Sequence, residues 1–256
     1  MFKYLRVILK CGPMLIYSYF SWILKYSRHP EKYDINLRFN RVQKLLRKIL
    51  LAFKVSYDEY SLDEFYKNDK EGSRLFVANH LSFIDPVLFI ALSKRPLTFV
   101  AKKESLKMPF VGKIVKALSG EFLDRADLKQ QLKVFMKVQK EMSENKNIDW
   151  VIFPEGTRNK EKVEEVHEFK YGSFKPAMKN SRPVYVFSLF GTQRVLDSKD
   201  KNKKYPISIK LDKIYTSEDY KNITTVELSK LAHEECQKGV TEIAKENKEI
   251  LLTLNK

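Results

Sequence analysis

From about residue 66 the chain alternates short apolar runs with longer stretches of helical period, and few folds accommodate that alternation. Residues 74–78, 97–101, 121–123, 150–153, 184–189 and 207–211 read as strands. Residues 86–93, 128–143, 173–179 and 226–247 read as helices, with shorter helical pieces leading up to residue 118. Strands separated by helices predict an α/β domain, with a mixed, mostly parallel sheet flanked by helices. Sites in such sheets lie in the loops that leave the carboxyl ends of strands. With 256 residues the chain accommodates one such domain and a small appendage, divided here into 1–65 and 66–256.

Residues 37–54 of the appendage carry the clearest periodicity. Val42, Leu45, Leu46, Ile49, Leu50 and Phe53 follow one helix face, and Arg38, Arg41, Lys44, Arg47, Lys48 and Lys54 occupy the rest. Such a helix either meets an anionic membrane surface or docks on the folded domain and solvates its basic side. Upstream lies an apolar, aromatic-rich stretch within the first 27 residues. Lys10, Gly12 and Pro13 interrupt it, which spoils both a secretory signal and an uninterrupted membrane span. A two-helix element lying in the membrane interface fits better, and predicts a membrane-associated protein on the cytoplasmic face.

Charge points the same way without deciding it. Lys and Arg number 48 against 32 Asp and Glu, a net +16 that suits anionic partners. No zinc, helix-turn-helix or aromatic-strand signature supports nucleic acid as that partner. Cys11 and Cys236 are the two cysteines, too few for a secreted disulfide framework. The four histidines are scattered with no metal-ligand pattern, so neither a metal nor another cofactor is expected.

Two loops are chemically unusual. Asn79-His80-Leu81-Ser82-Phe83-Ile84-Asp85-Pro86 follows the 74–78 strand. A histidine five residues before an aspartate can form a general base and its orienting carboxylate. The spacing alone is weak, because His29 and Asp34 share it in a connector with no other recommendation. Asp85 before Pro86 also fits an ordinary N-cap and first-turn pair. The second loop, Pro154-Glu155-Gly156-Thr157-Arg158, follows the 150–153 strand. Its glycine, hydroxyl and guanidinium can cradle a phosphate, although they also suit a charged turn.

Taken in order, these blocks resemble the glycerolipid acyltransferase family, and within it the bacterial 1-acyl-sn-glycerol-3-phosphate acyltransferases. Further blocks fall where that family has them: Ala101-Lys102-Lys103-Glu104 with Pro109 and Gly112, Gly120 to Arg125, Phe169 to Phe174 with Ala177, and Pro183-Val184. The resemblance covers roughly residues 70–190. Val186 stands where a second proline is usual, Ser105 where leucine is commoner, and residues 159–168 are unusually charged.

The resemblance implies an acyltransferase with a glycerol-phosphate acyltransferase-like fold. His80, oriented by Asp85, would deprotonate the 2-hydroxyl of 1-acyl-glycerol-3-phosphate for attack on an acyl thioester, making phosphatidic acid. Lys103, Arg125, Gly156, Thr157 and Arg158 would hold the phosphate, with Asn79, Ser82 and Glu155 supporting. The donor would be a thioester of acyl carrier protein or coenzyme A. Glycerol-3-phosphate or another lysophospholipid is an alternative acceptor. A non-catalytic basic membrane scaffold is the alternative from another class, opposed by the intact His80, Asp85 and Arg158.

Overall fold

The N-terminal apolar stretch is helical almost from its start. In the computed structural model, which describes residues 2–57, 72–144 and 147–255, α1 (Phe2–Ser18) runs through a π-helical turn (Tyr19–Ile23) into α2 (Leu24–Arg28). Pro13 lies inside α1, so it does not end the helix as its chemistry would favour. Lys3–Arg28 is the one helix among the described residues long and apolar enough to cross a membrane. Both ends of this rod are tied to protein. Lys3 Nζ donates to the Arg194 and Asp200 carbonyls and to the Tyr205 hydroxyl, at 3.1–3.3 Å. Trp22, Ile23 and Tyr26 are buried in the main core.

Asp34 caps α3 (Ile35–Ala52) by accepting from the Leu37 amide at 3.0 Å. The apolar stripe Val42, Leu45, Leu46 and Leu50 is buried in the same core. Each such side chain contributes about 1.5–3 kcal/mol, so α3 is docked on the domain rather than held apart from it. The reading that all its cations form a solvated face needs correction at Arg38. That side chain is buried, donating to the carbonyls of Tyr33 (3.0 Å) and Ala117 and to Ser119 Oγ (3.1 Å). Arg41, Lys44 and Lys48 do face solvent.

The sheet has seven strands: β1 (Val55–Tyr57), β2 (Leu75–Ala78), β3 (Leu97–Lys102), β4 (Glu121–Leu123), β5 (Asp149–Ile152), β6 (Val184–Phe190) and β7 (Tyr205–Tyr215). Their order is β1-β7-β6-β2-β5-β3-β4, parallel throughout except at β6–β7. The mixed, mostly parallel sheet is therefore as expected. β1 was not foreseen. It pairs with β7 through Val55↔Tyr205, although it lies in the segment read as an appendage. The division at residues 65 and 66 falls outside the described residues.

Alternate strand residues feed two core layers, as the period of two requires. Phe76, Ala78, Val151, Tyr185 and Phe187 join α1–α3, α4 (Ile84–Leu92) and α5 (Pro109–Ala117) on one face. Leu75, Val77, Trp150, Ile152 and Val184 join α6 (Leu128–Glu144), α7 (Lys175–Lys179) and α10 (Thr225–Asn255) on the other. Between them in sequence lie the single-turn helices α8 (Thr192–Val195) and α9 (Ser217–Tyr220). The last helix extends eight residues past the expected end at 247. At the amino ends of β2 and β5, Arg74 and Asp149 form a buried bidentate pair, with Nη2–Oδ2 at 2.6 Å and Nε–Oδ1 at 3.1 Å. Arg95 approaches the same carboxylate at 3.2 Å. The two cysteines are free and buried.

Candidate active site

β2 and β5 are adjacent and parallel, in the register Leu75↔Trp150 to Val77↔Ile152. The two unusual loops therefore leave the same sheet edge side by side, although about 75 residues separate them in sequence. His80 stands where they meet. Its amide donates to Glu155 Oε1, and its carbonyl accepts from the Asn159 amide at 2.8 Å. The ring stacks on Phe153, with centroids 4.3 Å apart and planes 21° from parallel. Nδ1 lies 2.8 Å from Asp85 Oδ2, which fixes the ring's tautomer if Nδ1 carries the proton.

Asp85 is not the cap of α4, which starts one residue earlier with Phe83 at the N-cap. Its Oδ2 instead accepts the amides of Leu81 (2.7 Å) and Ser82 (2.8 Å) besides His80 Nδ1. Three donors on one fully buried oxygen hold the carboxylate and the loop in a single arrangement. Ser82 Oγ accepts the Ile84 amide at 3.2 Å and so starts the helix. Asn79 clamps the strand end to β6, exchanging two hydrogen bonds with the Leu189 backbone at 2.7 and 3.0 Å. His29, with the same spacing to an aspartate, is a half-exposed residue 3.6 Å from Glu31.

A cavity of about 460 Å³ opens at His80. Most of its wall is apolar, with Leu15, Leu46, Val87, Phe110, Ile114 and Leu118 contributed by α1, α3, α4, α5 and the turn after α5. Arg125, Thr157, Arg158 and Lys102 bring polarity to the same lining. Arg158 lies over the Phe83 ring, its Cζ 4.0 Å from the centroid. Desolvation lowers the Arg125 pKa; Glu104 acts to raise it, and the Arg158 charge acts to lower it. Two guanidiniums that sense each other at an apolar cavity suit an anion bearing more than one negative oxygen.

Two expected phosphate ligands are placed otherwise. Lys103 points away from the cavity and pairs with Asp124 at 2.7 Å, and its neighbour Lys102 lines the wall instead. The Gly156 amide is committed to the Phe153 carbonyl at 3.0 Å. Gly156 serves the turn: its φ of 69° is left-handed, which glycine adopts without a steric cost. Glu155 is buried, its Oε2 accepting the His167 amide at 3.0 Å, and burial raises its pKa from 4.5 to about 7. It braces both loops at once. Asn159, unremarked in the sequence, is the other brace. Besides its bond to His80, its side chain accepts the Lys162 amide at 3.0 Å and donates to the Glu165 carbonyl at 2.8 Å. Among the described residues no group of three or more His, Cys, Asp or Glu side chains is placed to hold a metal ion.

Comparison with known proteins places the chain in a family and a fold. The family described as Acyltransferase matches residues 57–189. The chain is 32% identical over 123 residues to the 1-acyl-sn-glycerol-3-phosphate acyltransferase of Borreliella burgdorferi, covering 48% of each. It is 30% identical over 128 residues to the enzyme of the same name from Helicobacter pylori, covering 50% of this chain and 53% of that one. The matches thus span about half the length of these relatives. Across nearly the whole fold, the chain superposes on the crystal structure of the 1-acyl-sn-glycerophosphate acyltransferase of Thermotoga maritima. The TM-score is 0.68 with 22% identity, over 94% of this chain and 95% of the other.

Proposed function

The chain belongs to the acyltransferase family, and from that premise we propose that it transfers a fatty acyl group from a thioester to the 2-hydroxyl of 1-acyl-sn-glycerol-3-phosphate. One observation carries the reading: a carboxylate-oriented histidine stands where an apolar cavity meets two arginines. The cavity suits an acyl chain, the arginines suit a phosphate, and the histidine lines the same cavity.

In this mechanism His80 Nε2 takes the proton of the acceptor hydroxyl while Asp85 stabilises the imidazolium that forms. The freed oxygen attacks the thioester carbonyl. The tetrahedral intermediate then collapses, breaking the C–S bond, and the imidazolium proton goes to the departing thiolate. An ester bond replaces a thioester bond, and no acyl-enzyme is required. Arg125, Arg158 and the Thr157 hydroxyl hold the phosphate, with Lys102 taking the part the resemblance implied for Lys103. Positioning is their contribution, because misplacing the hydroxyl by about 1 Å can cost on the order of 10²-fold.

The protein works at a membrane surface in this reading. Ile8, Leu9, Ile16, Tyr17 and Phe20 are exposed on the outer side of α1 and its π turn, while the inner side is held by the core. A rod fixed to protein at both ends lies along the interface with its outer face among the lipid headgroups. Leu15 lines the cavity from this same rod, so lipid substrates enter from the interface. A labelled acyl group offered as thioester to 1-acyl-glycerol-3-phosphate in mixed micelles tests the function. Wild type should transfer and a folded His80→Ala variant should not. Equal transfer by the variant would eliminate the proposed base, and an inactive wild type on every lysophospholipid would leave the scaffold reading.

A further inference from the structure

The start of α6 is tied to the segment that delivers Arg125 to the cavity. Gln130 Nε2 donates to the Phe122 carbonyl at 2.7 Å, Gln130 Oε1 accepts the Asp124 amide at 2.8 Å, and Gln131 Nε2 donates to the Arg125 carbonyl at 3.0 Å. The inner face of α6 is ordinary, with Val134, Val138 and Met142 buried against the sheet. Its outer face is not. Leu128, Leu132 and Met136 are 77%, 59% and 69% exposed, and their i, i+4, i+8 spacing sets them in one row. At 1.5 Å per residue the row runs for about 12 Å away from Arg125. One residue on from each stands a lysine: Lys129, Lys133 and Lys137, all exposed, the last paired with Glu121 at 2.6 Å. Single exposed apolar residues are normal on a protein surface, but three in one row form a continuous apolar strip that a partner can cover.

The sheet decides what kind of partner this row meets. α6 packs with Leu75, Val77 and Trp150, whereas α1–α3 pack with Phe76, Val151 and Phe187 on the opposite face. A planar bilayer that receives the outer face of α1 leaves α6 across the sheet, in water. A soluble partner is needed there, and the lysine row calls for a carboxylate-rich one. We propose that the outer face of α6 docks the acidic carrier protein that presents the acyl thioester. The carrier's own apolar-and-acidic helix would meet the two rows, leaving its thioester arm to reach His80 past Arg125. The proposal rests on the acyl-transfer reading above and names its donor.

The test compares two donors with the same acyl chain, an acyl carrier protein thioester and a coenzyme A thioester, in one micellar assay. Two variants are made: Leu132→Ser with Met136→Ser, which keeps the charge, and Lys129→Glu with Lys133→Glu. With the carrier thioester, kcat/KM should fall about tenfold in each, more steeply at low salt for the lysine variant. With the coenzyme A thioester the serine variant should stay within about twofold of wild type, which also shows that it is folded. Unchanged carrier activity in both variants would overturn the docking site, as would equal loss on both donors. So would a wild type that accepts only coenzyme A thioesters, although acyl transfer itself would then stand. Loss of binding to phosphatidylglycerol vesicles by the serine variant, with carrier activity kept, would make the row a membrane contact instead. A wild type inactive with both donors would remove the acyl-transfer reading and the docking proposal together.

Discussion

His80 Nδ1 lies 2.8 Å from Oδ2 of Asp85, and that one oxygen also accepts the amides of Leu81 and Ser82. The aspartate therefore does two jobs, folding the loop around itself and countering the charge His80 acquires when it takes a proton. Asp85→Asn separates them, since an amide oxygen can still accept hydrogen bonds but carries no charge. We expect kcat to fall on the order of 10²–10⁴-fold while KM for the acceptor changes by a few-fold only. Steady-state assays with both substrates varied measure this. A variant with near wild-type kcat would take Asp85 out of the chemistry and leave it a loop residue.

Both site loops were legible in the sequence only together: His80 with Asp85 and the Glu155–Arg158 tetrad each have an ordinary reading alone, and it is their order along the chain with the neighbouring blocks that singles them out. Their contact was not legible, because strand order is decided by contacts far apart in sequence, and the alternation of elements leaves that order open. The Lys102 and Lys103 exchange has the same root. β3 ends at Lys102, paired with Leu123, and Lys103 opens a 3-10 turn (Lys103–Lys107), so which lysine lines the cavity depends on where the strand stops. β1 is three residues long, too short for a period of two to register. The α3 stripe was visible, yet burial of Arg38 depends on the Ala117 carbonyl and the Ser119 hydroxyl, about eighty residues away. A fully buried arginine pair is likewise invisible when each member reads as a polar strand boundary.

That pair, Arg74 with Asp149, should govern stability rather than rate. Asp149 accepts from the Arg74 guanidinium and from its amide at 3.0 Å, and also meets Arg95. Asp149→Ala leaves two guanidiniums inside the protein without their carboxylate, at a cost of about 3–5 kcal/mol. Arg74→Met combined with Asp149→Leu should recover part of that loss, since only Arg95, which keeps its bond to the Gly72 carbonyl, is then left without the carboxylate. Urea denaturation of the three proteins checks the expectation. A double variant less stable than Asp149→Ala would show that the loss does not come from an uncompensated Arg74.

The cavity should set acyl length. Ile114 on α5 lines it beside Phe110, Val115 and Leu118, and being only partly buried it has room to grow inward. Ile114→Phe fills lumen rather than core, so the fold should tolerate it better than a buried enlargement. Competition between dodecanoyl and hexadecanoyl thioesters should shift toward the shorter chain by about tenfold, the scale of one or two methylenes in an apolar pocket. An unchanged ratio would place the acyl chain elsewhere.

Glu155 makes stability depend on pH in a direction that can be fixed in advance. Burial raises its pKa from 4.5 to about 7, against the opposing pull of the His80 and His167 amides. The folded protein thus keeps a proton that the unfolded chain gives up near pH 4.5. The stability this supplies is complete below pH 4.5 and is lost as pH rises through 7. Asp212, raised by burial to about 7 against its bond from Ser188, adds a loss of the same sign over the same window. Glu155→Gln cannot titrate, and it also weakens one of the two amide contacts, so absolute stabilities are not the comparison to make. The difference in unfolding free energy between pH 5 and pH 8 is the proper quantity, and it should shrink by up to about 3 kcal/mol in the variant. The remaining dependence should shrink again when Asp212→Asn is added. If the two pH dependences coincide, Glu155 titrates as an ordinary carboxylate and braces the His80 loop in its charged form.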